Sequence, residues 1–375
     1  MTGGAYTKSY ELEAKKDYAG AQRALGEVRF AERSTYFYNL RTAWLSSQAG
    51  HKAEALAAYN RAANLFPDSI EPLIGRISAE AALTQWDAVE RTAQAILRVD
   101  SKNYTARSSL AYAKFCQQRY TEAEQAYEDV LKLYPYDTTM QEGLGWSLIW
   151  QGRRRDAIST FTDILEFAPS NEAAAQALGK DAPAESASAK IIERSMQFEA
   201  KGNYAEALIA MSELSGDESK RTYFFHLRTG WLYYMLGQYE RSAASYGRAA
   251  SMAKDAVQPL LGKAQSEAAL LKWDAVAKSL EAALRLDPKN YTARSSLANA
   301  YYFLNRFKDS ESLYREILKE YPGDLTARSG LGWSLLKQAK TTEAIREFKI
   351  ILRVNPTHNL ATIGLDEAQA VSASK

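Results

Sequence analysis

The sequence predicts an all-α protein, a solenoid of antiparallel helix pairs that number about ten. Three observations carry this prediction. The chain of 375 residues contains a long internal duplication, each copy repeats a proline at a 34-residue period, and small and large side chains recur in register with that period. A fixed period of this length is typical of stacked two-helix units, each of which buries its apolar face against its neighbours.

The duplication places each residue of the first copy 187 positions before its equivalent in the second. The segment Asn103–Ala111 recurs unchanged as Asn290–Ala298. Between residues 35–170 and 222–357, roughly 63 of the 136 aligned pairs are identical, without a gap. Identity at this level indicates two copies of one structural unit.

The two copies define the predicted domains. Residues 1–180 hold five helix pairs and a short capping helix, Glu172–Leu178, which Gly179 ends. Residues 181–189 are rich in alanine and serine and are predicted to be a linker. Residues 190–375 hold five more pairs and end in a second capping helix, Asn359–Ala370, because the last pair of a solenoid otherwise exposes an apolar flank.

The prolines set the frame of each copy. Proline lacks an amide hydrogen and excludes helical geometry from the residue before it, so it ends a helix. These prolines predict where the second helix of a repeat ends. Six of them follow amphipathic stretches at the same place in the period: Pro67, Pro135, Pro169, Pro288, Pro322 and Pro356.

Small and large residues alternate within this frame. A small residue stands at the eighth place of nearly every repeat, as at Gly145 and Gly332. Small residues let two helices approach closely, and a ring fills the space beside them, so the pattern predicts an antiparallel helix pair in each repeat. Large rings recur at the twenty-fourth place: Tyr59, Tyr127, Phe161, Tyr246, Tyr314 and Phe348.

This pattern resembles the tetratricopeptide repeat. Tyr291–Asp324, with Asn-Ala-Tyr-Tyr-Phe-Leu and Tyr-Pro-Gly-Asp, matches most closely, and Leu144–Pro169 matches nearly as well. The resemblance extends over about nine-tenths of the chain. It implies a right-handed superhelix in which the first helices line a concave groove and the second helices form the outer wall. It also implies a scaffold that binds proteins.

The composition argues against an enzyme. The chain has one cysteine, Cys116, and three widely separated histidines, so no metal cluster and no cofactor are expected. The net charge of +2 gives no reason to expect nucleic acid as a partner, and no apolar run approaches the ~20 residues of a membrane span. We expect a soluble protein, either cytoplasmic or, after loss of a signal peptide, periplasmic. Gly-Trp repeat arrays of this kind resemble scaffolds of the bacterial cell envelope.

Aromatic and polar residues on the predicted first helices are the candidate partner-binding residues. Aromatic rings and arginines dominate interface energies, at about 2 kcal/mol or more each when a partner buries them. Aromatic rings would anchor a peptide or helix, and the arginines would donate charge-assisted hydrogen bonds. For most of the tryptophans the alternative is packing against neighbouring helices. The candidates are Phe37, Arg41, Trp44, Tyr112, Trp146, Trp150, Phe224, Arg228, Trp231, Asn299, Tyr302 and Trp333.

Three functions stay open at this level. The favoured one is a non-enzymatic scaffold that holds a protein, peptide or helix in its groove, at two similar sites because of the duplication. The alternatives are self-assembly, in which the groove receives the chain's own terminus or a second copy, and binding of a carbohydrate or other small ligand. A clamp for the carboxylates of chaperone tails is not expected, because Ser295 replaces the lysine that would precede Asn299 and Gly330 follows in the next repeat.

Overall fold

The protein consists of helix pairs. A computed structural model describes residues 2–179, 186–214 and 219–373, and these residues form 22 α-helices, one 3-10 turn and no strand. The predicted fold class, an all-α helical solenoid, is confirmed. In the first copy the helices are α1 (Thr2–Ala14), α2 (Tyr18–Leu25), α3 (Tyr36–Gln48), α4 (Lys52–Leu65), α5 (Glu71–Ala82), α6 (Trp86–Val99), α7 (Tyr104–Cys116), α8 (Tyr120–Leu131), α9 (Thr138–Trp150), α10 (Arg154–Phe167) and α11 (Glu172–Leu178). In the second copy they are α12 (Ala187–Ala200), α13 (Tyr204–Ser212), α14 (Ser219–Met235), α15 (Tyr239–Met252), α16 (Gln258–Ala269), α17 (Trp273–Leu286), α18 (Tyr291–Phe303), α19 (Phe307–Glu320), α20 (Leu325–Lys337), α21 (Thr341–Val354) and α22 (Asn359–Ala373).

One left-handed residue joins the two helices of each pair. The chain must reverse within three residues there, and a positive φ achieves this reversal at the end of a helix. Side chains other than glycine tolerate that region poorly, because Cβ approaches the following carbonyl oxygen. The residues with positive φ in these turns are Lys16, Gly50, Thr84, Gln118, Gly152, Gly202, Gly237, Leu271, Asn305 and Ala339.

The core is made by rings that fit against glycines. An ideal Cβ on Gly145 would lie 2.6 Å from Cζ of Phe161, and one on Gly332 would lie 2.6 Å from Cε1 of Phe348. Both rings are almost completely buried. The predicted pairing of small and large residues is therefore the packing that brings the first and second helices of a repeat together.

The chain forms two compact units. Unit 1 contains residues 1–106 and 294–375, and unit 2 contains residues 107–293. Within each unit successive helices pack against each other, as α3 does with α4 and α14 with α15. The division into sequence copies at 1–180 and 190–375 follows from the repeat pattern and stays a prediction about domain organisation.

The capping helices form close to their predicted bounds. Gly179 follows α11 with φ of 51°, and α22 runs three residues beyond the expected Ala370. The predicted linker 181–189 needs a correction at its end. Residues 181–185 lie outside the described part of the chain, but α12 already begins at Ala187, because the Ser186 hydroxyl accepts a hydrogen bond from the Ala189 amide at 2.9 Å.

Candidate functional site

Three aromatic rings form a continuous surface feature in unit 2. Trp150, the last residue of α9, is 61% exposed. Its ring stacks on Tyr120 at the start of α8, with centroids 5.8 Å apart and planes 12° apart. Tyr120 in turn meets Phe115 of α7 edge-on at 5.5 Å. We call Phe115, Tyr120 and Trp150 the aromatic ladder, and it links three successive helices.

Hydrogen bonds between α8 and the end of α9 fix this ladder. Gln151, which follows Trp150, donates from Nε2 to Glu124 Oε2 at 2.8 Å. Thr121 Oγ1 donates to Gln151 Oε1 at 3.2 Å. The exposed ring is therefore held on a rigid frame, and a partner that covered it would immobilise few additional side-chain torsions.

Tyr112 extends the exposed surface along α7. It is 51% exposed and lies one helical turn before Cys116. A hydrogen bond with Cys116 raises the pKa of the Tyr112 hydroxyl, and burial raises the pKa of the Cys116 thiol. The thiol is therefore protonated at neutral pH, whereas a nucleophilic cysteine needs a stabilised thiolate.

A network of charges borders the ladder. Glu122 accepts hydrogen bonds from Arg119 at 2.6 Å and from Lys114 at 3.0 Å. These two bonds lower the pKa of the exposed Glu122 carboxyl to about 2, so it is ionised at any physiological pH. An apolar centre with a charged, solvated border is the usual composition of a protein-binding surface.

Unit 1 contains a cavity beside three of the predicted residues. The cavity has a volume of about 430 Å³ and is bounded by Phe37, Arg41 and Trp44 of α3 together with residues of α1, α5 and the turn before α20. Arg41 Nη1 pairs with Glu13 Oε2 at 2.8 Å, and its guanidinium carbon lies 3.5 Å from the centroid of the Tyr10 ring. Arg41 thus makes contacts within the protein, and its predicted contact with a partner stays a prediction.

A carboxyl group lies on another wall of this cavity. Glu71 Oε2 accepts hydrogen bonds from the Tyr36 hydroxyl at 2.7 Å and from the Gly323 amide at 2.8 Å. Burial raises the pKa of the Glu71 carboxyl to about 7, although the two hydrogen bonds act in the opposite direction. Burial is also the main cause that raises the pKa of the Tyr36 hydroxyl, and the charge of the nearby Glu71 raises it further.

The equivalent residues in unit 2 make similar internal contacts. Arg228 Nη2 pairs with Glu199 Oε2 at 2.7 Å, and burial lowers the pKa of this guanidinium. Trp231 donates from Nε1 to the same carboxylate at 3.1 Å and remains 38% exposed. The ring of Phe224 packs against Phe167 with centroids 5.1 Å apart.

The remaining predicted residues divide between packing and exposure. Trp44 meets Tyr18 edge-on, as the packing alternative for the tryptophans expects. Tyr302 is partly buried, and its ring contacts Phe307 at 5.5 Å, whereas Asn299 is exposed. Two further tryptophans contact core rings in the same edge-on way: Trp146 with Phe161, and Trp333 with Phe348.

Sequence reasoning missed Tyr120 and Glu71. Tyr120 belongs to the second helix of its repeat, whereas the predicted partner-binding places all lie on first helices. A signal was available for Glu71 in the comparison of the copies, because Gln258 takes its place in an otherwise similar segment.

Neither a metal site nor a membrane span is found among residues 2–179, 186–214 and 219–373. There, no group of three or more histidine, cysteine, aspartate or glutamate side chains is placed to hold a metal ion. Within the same ranges, every helix is too short or too polar to cross a membrane.

Comparison with known proteins identifies the repeat. Models of the tetratricopeptide repeat match residues 39–69, 75–138, 116–180 and 268–324, which together span about half of the chain. No curated protein sequence matches. Among solved structures, MamA is 20% identical over 42% of this chain and 92% of its own, with a TM-score of 0.40. MamA from Desulfovibrio magneticus is 15% identical over 44% of this chain and 93% of its own, with a TM-score of 0.41. Yeast Tom70 is 15% identical over 99% of this chain and 95% of its own, with a TM-score of 0.39. On the evidence of its sequence matches and its stacked helix pairs, the chain belongs to the tetratricopeptide repeat family.

Proposed function

We propose that this protein is a non-enzymatic scaffold and that it binds a peptide or helix of a protein partner on the aromatic ladder and Tyr112. The observation that carries the proposal is Trp150, a large ring that is exposed and yet held in place by stacking on Tyr120. A ring in this state offers apolar area without a large entropic cost, and aromatic anchors of this kind dominate binding energies.

The two copies supply matched substitutions for a test. Lys337 and Asn299 stand at the places of Trp150 and Tyr112 in the second copy, so the fold accommodates lysine and asparagine there. A random peptide library displayed on phage is selected on the wild-type protein, and the selected peptides are titrated against Trp150→Lys and Tyr112→Asn. Loss of a buried anchor worth about 2 kcal/mol weakens binding roughly thirtyfold.

A second exposed apolar residue serves as the control. Leu271 is 70% exposed in a turn of unit 2, and Lys16 occupies the equivalent turn position in the first repeat. Leu271→Lys is expected to leave peptide affinity unchanged. Peptides that bind Trp150→Lys as tightly as the wild type, while both proteins keep the same helical circular dichroism, would place the binding surface elsewhere.

A further inference from the structure

Opposite ends of the sequence meet in unit 1. The turn between α19 and α20 lies against the start of α5 and against α3. The backbone oxygen of Glu320 accepts hydrogen bonds from the Ile70 amide at 3.0 Å and from the Ser69 hydroxyl at 2.8 Å, and the Gly323 amide donates to Glu71. We call this contact the end joint. Arg294 forms a bidentate ion pair with the buried Glu320 carboxylate, with N–O distances of 3.1 and 2.6 Å. This pair fixes the end of α19, the helix that leads into the turn.

Gly323 is explained by the end joint and by nothing local. An ideal Cβ at this position would lie 2.5 Å from Leu40 Cδ2 and 2.8 Å from Glu71 Oε1, so any side chain would press into α3 and α5. The turn itself does not require glycine, because the φ of Gly323 is outside the left-handed region. Equivalent turns of other repeats carry Asp68, Tyr136, Ser170, Lys289 and Thr357 at this place.

Unit 2 contains a joint between the equivalent elements, which we call the middle joint. Here Tyr136, the equivalent of Gly323, stacks on Tyr223 with centroids 5.2 Å apart and meets Phe167 edge-on at 4.7 Å. Contact between α10 and α12 accompanies the middle joint, and contact between the equivalent α21 and α1 accompanies the end joint. The joint that connects the two ends of the chain is therefore built from helices equivalent to those of the joint that connects consecutive copies.

The two joints differ in where they place large and small residues. Where the middle joint has a tyrosine, the end joint has glycine, and where the middle joint has Ala253 the end joint has a phenylalanine, Phe66, packed on Tyr36 at 4.9 Å. Gln258 likewise replaces Glu71, the acceptor for the Gly323 amide. Overpacking and empty space both destabilise a contact, so each turn fits its own receptor and not the other.

We propose that the end joint is a self-recognition surface, through which the receptor formed by α3 and α5 takes the Tyr321–Leu325 turn of a second copy of this chain, head to tail. When two chains exchange their turns, every hydrogen bond of the joint is made again between the chains. The exchange therefore costs only the translational freedom of a second chain and the difference in effective concentration of the turn. The middle joint shows that this contact type serves to connect one repeat array to the next.

The test uses full-length chains that carry a Cys116→Ser change and one new cysteine each. Leu40→Cys supplies the receptor thiol and Gly323→Cys supplies the turn thiol. The two variants are mixed in urea, refolded together and oxidised, and the products are separated by size without reductant. A disulfide-linked pair of unlike chains is expected, with a yield that rises with protein concentration. Leu227→Cys, at the equivalent place in the middle joint, replaces Leu40→Cys in the control and is expected to give roughly tenfold less product.

A chain that carries both Leu40→Cys and Gly323→Cys calibrates the geometry and is expected to form an internal disulfide at low concentration. An internal disulfide without any linked pair, at every concentration, would overturn exchange between chains. Equal yields with Leu227→Cys would overturn the matching of turn and receptor. Leu40→Cys removes the Cδ2 atom that a Cβ at position 323 would meet, and the Glu71 carboxylate is the end of a flexible side chain, so the double variant has room for both thiols. If this variant forms no disulfide, the turn does not lie against α3 and the end joint is wrong.

Discussion

The pKa of Glu71 makes the stability of the end joint depend on pH. Burial raises the pKa of this carboxyl from 4.5 to about 7, although hydrogen bonds from Tyr36 and Gly323 lower it; Asp324 also raises it and Arg328 lowers it. The folded protein therefore holds the proton more tightly than the unfolded chain does. The stabilisation linked to this proton is complete below pH 4.5 and is lost as the pH rises through about 7.

The magnitude follows from the displacement of the pKa. One pH unit corresponds to about 1.4 kcal/mol, so moving from 4.5 to about 7 gives at most about 3 kcal/mol. Glu71→Gln removes the titration while keeping an oxygen that can accept hydrogen bonds, and glutamine already stands at the equivalent place, Gln258, in the second copy. We expect the wild type to lose up to about 3 kcal/mol relative to this variant between pH 5 and pH 8.

Two measurements check this expectation. Urea unfolding at several pH values compares the wild type with Glu71→Gln, and hydrogen exchange at the Gly323 amide reports local opening, since a repeat array need not unfold in one step. Glu316→Gln, at an exposed position, is the control and should leave the pH profile unchanged. A wild-type stability, measured relative to Glu71→Gln, that is constant with pH or that falls toward acid would refute the argument.

Three further predictions concern the helix pairs. Leu271→Gly should stabilise the protein by about 1 kcal/mol in thermal unfolding, because the residue is exposed and has a positive φ of 56°; a lower melting temperature would contradict this reasoning. Gly145→Ala should cost about 1–3 kcal/mol of stability, because a core ring occupies the place of the new Cβ. The control is Gly247→Ala, which should not destabilise, because no side-chain atom lies nearer than 4.0 Å to its Cβ position. Equal effects of the two changes in urea titrations would disprove the packing argument. Arg294→Ala should cost about 3–5 kcal/mol of stability, because it leaves the Glu320 carboxylate buried without this partner. It should also speed hydrogen exchange near the end joint. Unchanged exchange there would show that the ion pair does not hold the turn.

Much of the fold could be read from local patterns. Proline positions and small residues predicted the helix pairs, and Gly332 against Phe348 shows why this works: the spacing of one repeat places both residues at the same interface. Trp150 and Tyr112 were named as partner-binding candidates from their places on first helices, and both are exposed in the structure; their contact with a partner stays a prediction.

The roles of Arg41 and Arg228 were less accessible to sequence reasoning. Both were predicted to offer hydrogen bonds to a partner, and that role stays a prediction. In the structure each pairs with a glutamate of the preceding repeat, Glu13 or Glu199, which sequence reasoning did not foresee. A groove position defines which face of its helix a side chain occupies, but not whether the neighbouring helix brings a countercharge to that face.

The sequence by itself determined the repeat: the helix pairs, their close-packed glycines and the duplication follow from interactions within one period or between neighbouring periods. Only the tertiary structure decided that the Tyr321–Leu325 turn meets α3 and α5, and that Glu71 is buried there. Such a contact joins residues some 250 positions apart, and no local periodicity encodes it. Its traces in the sequence are differences between the two copies, such as Gly323 against Tyr136, whose reason appears once the neighbouring helix is in place.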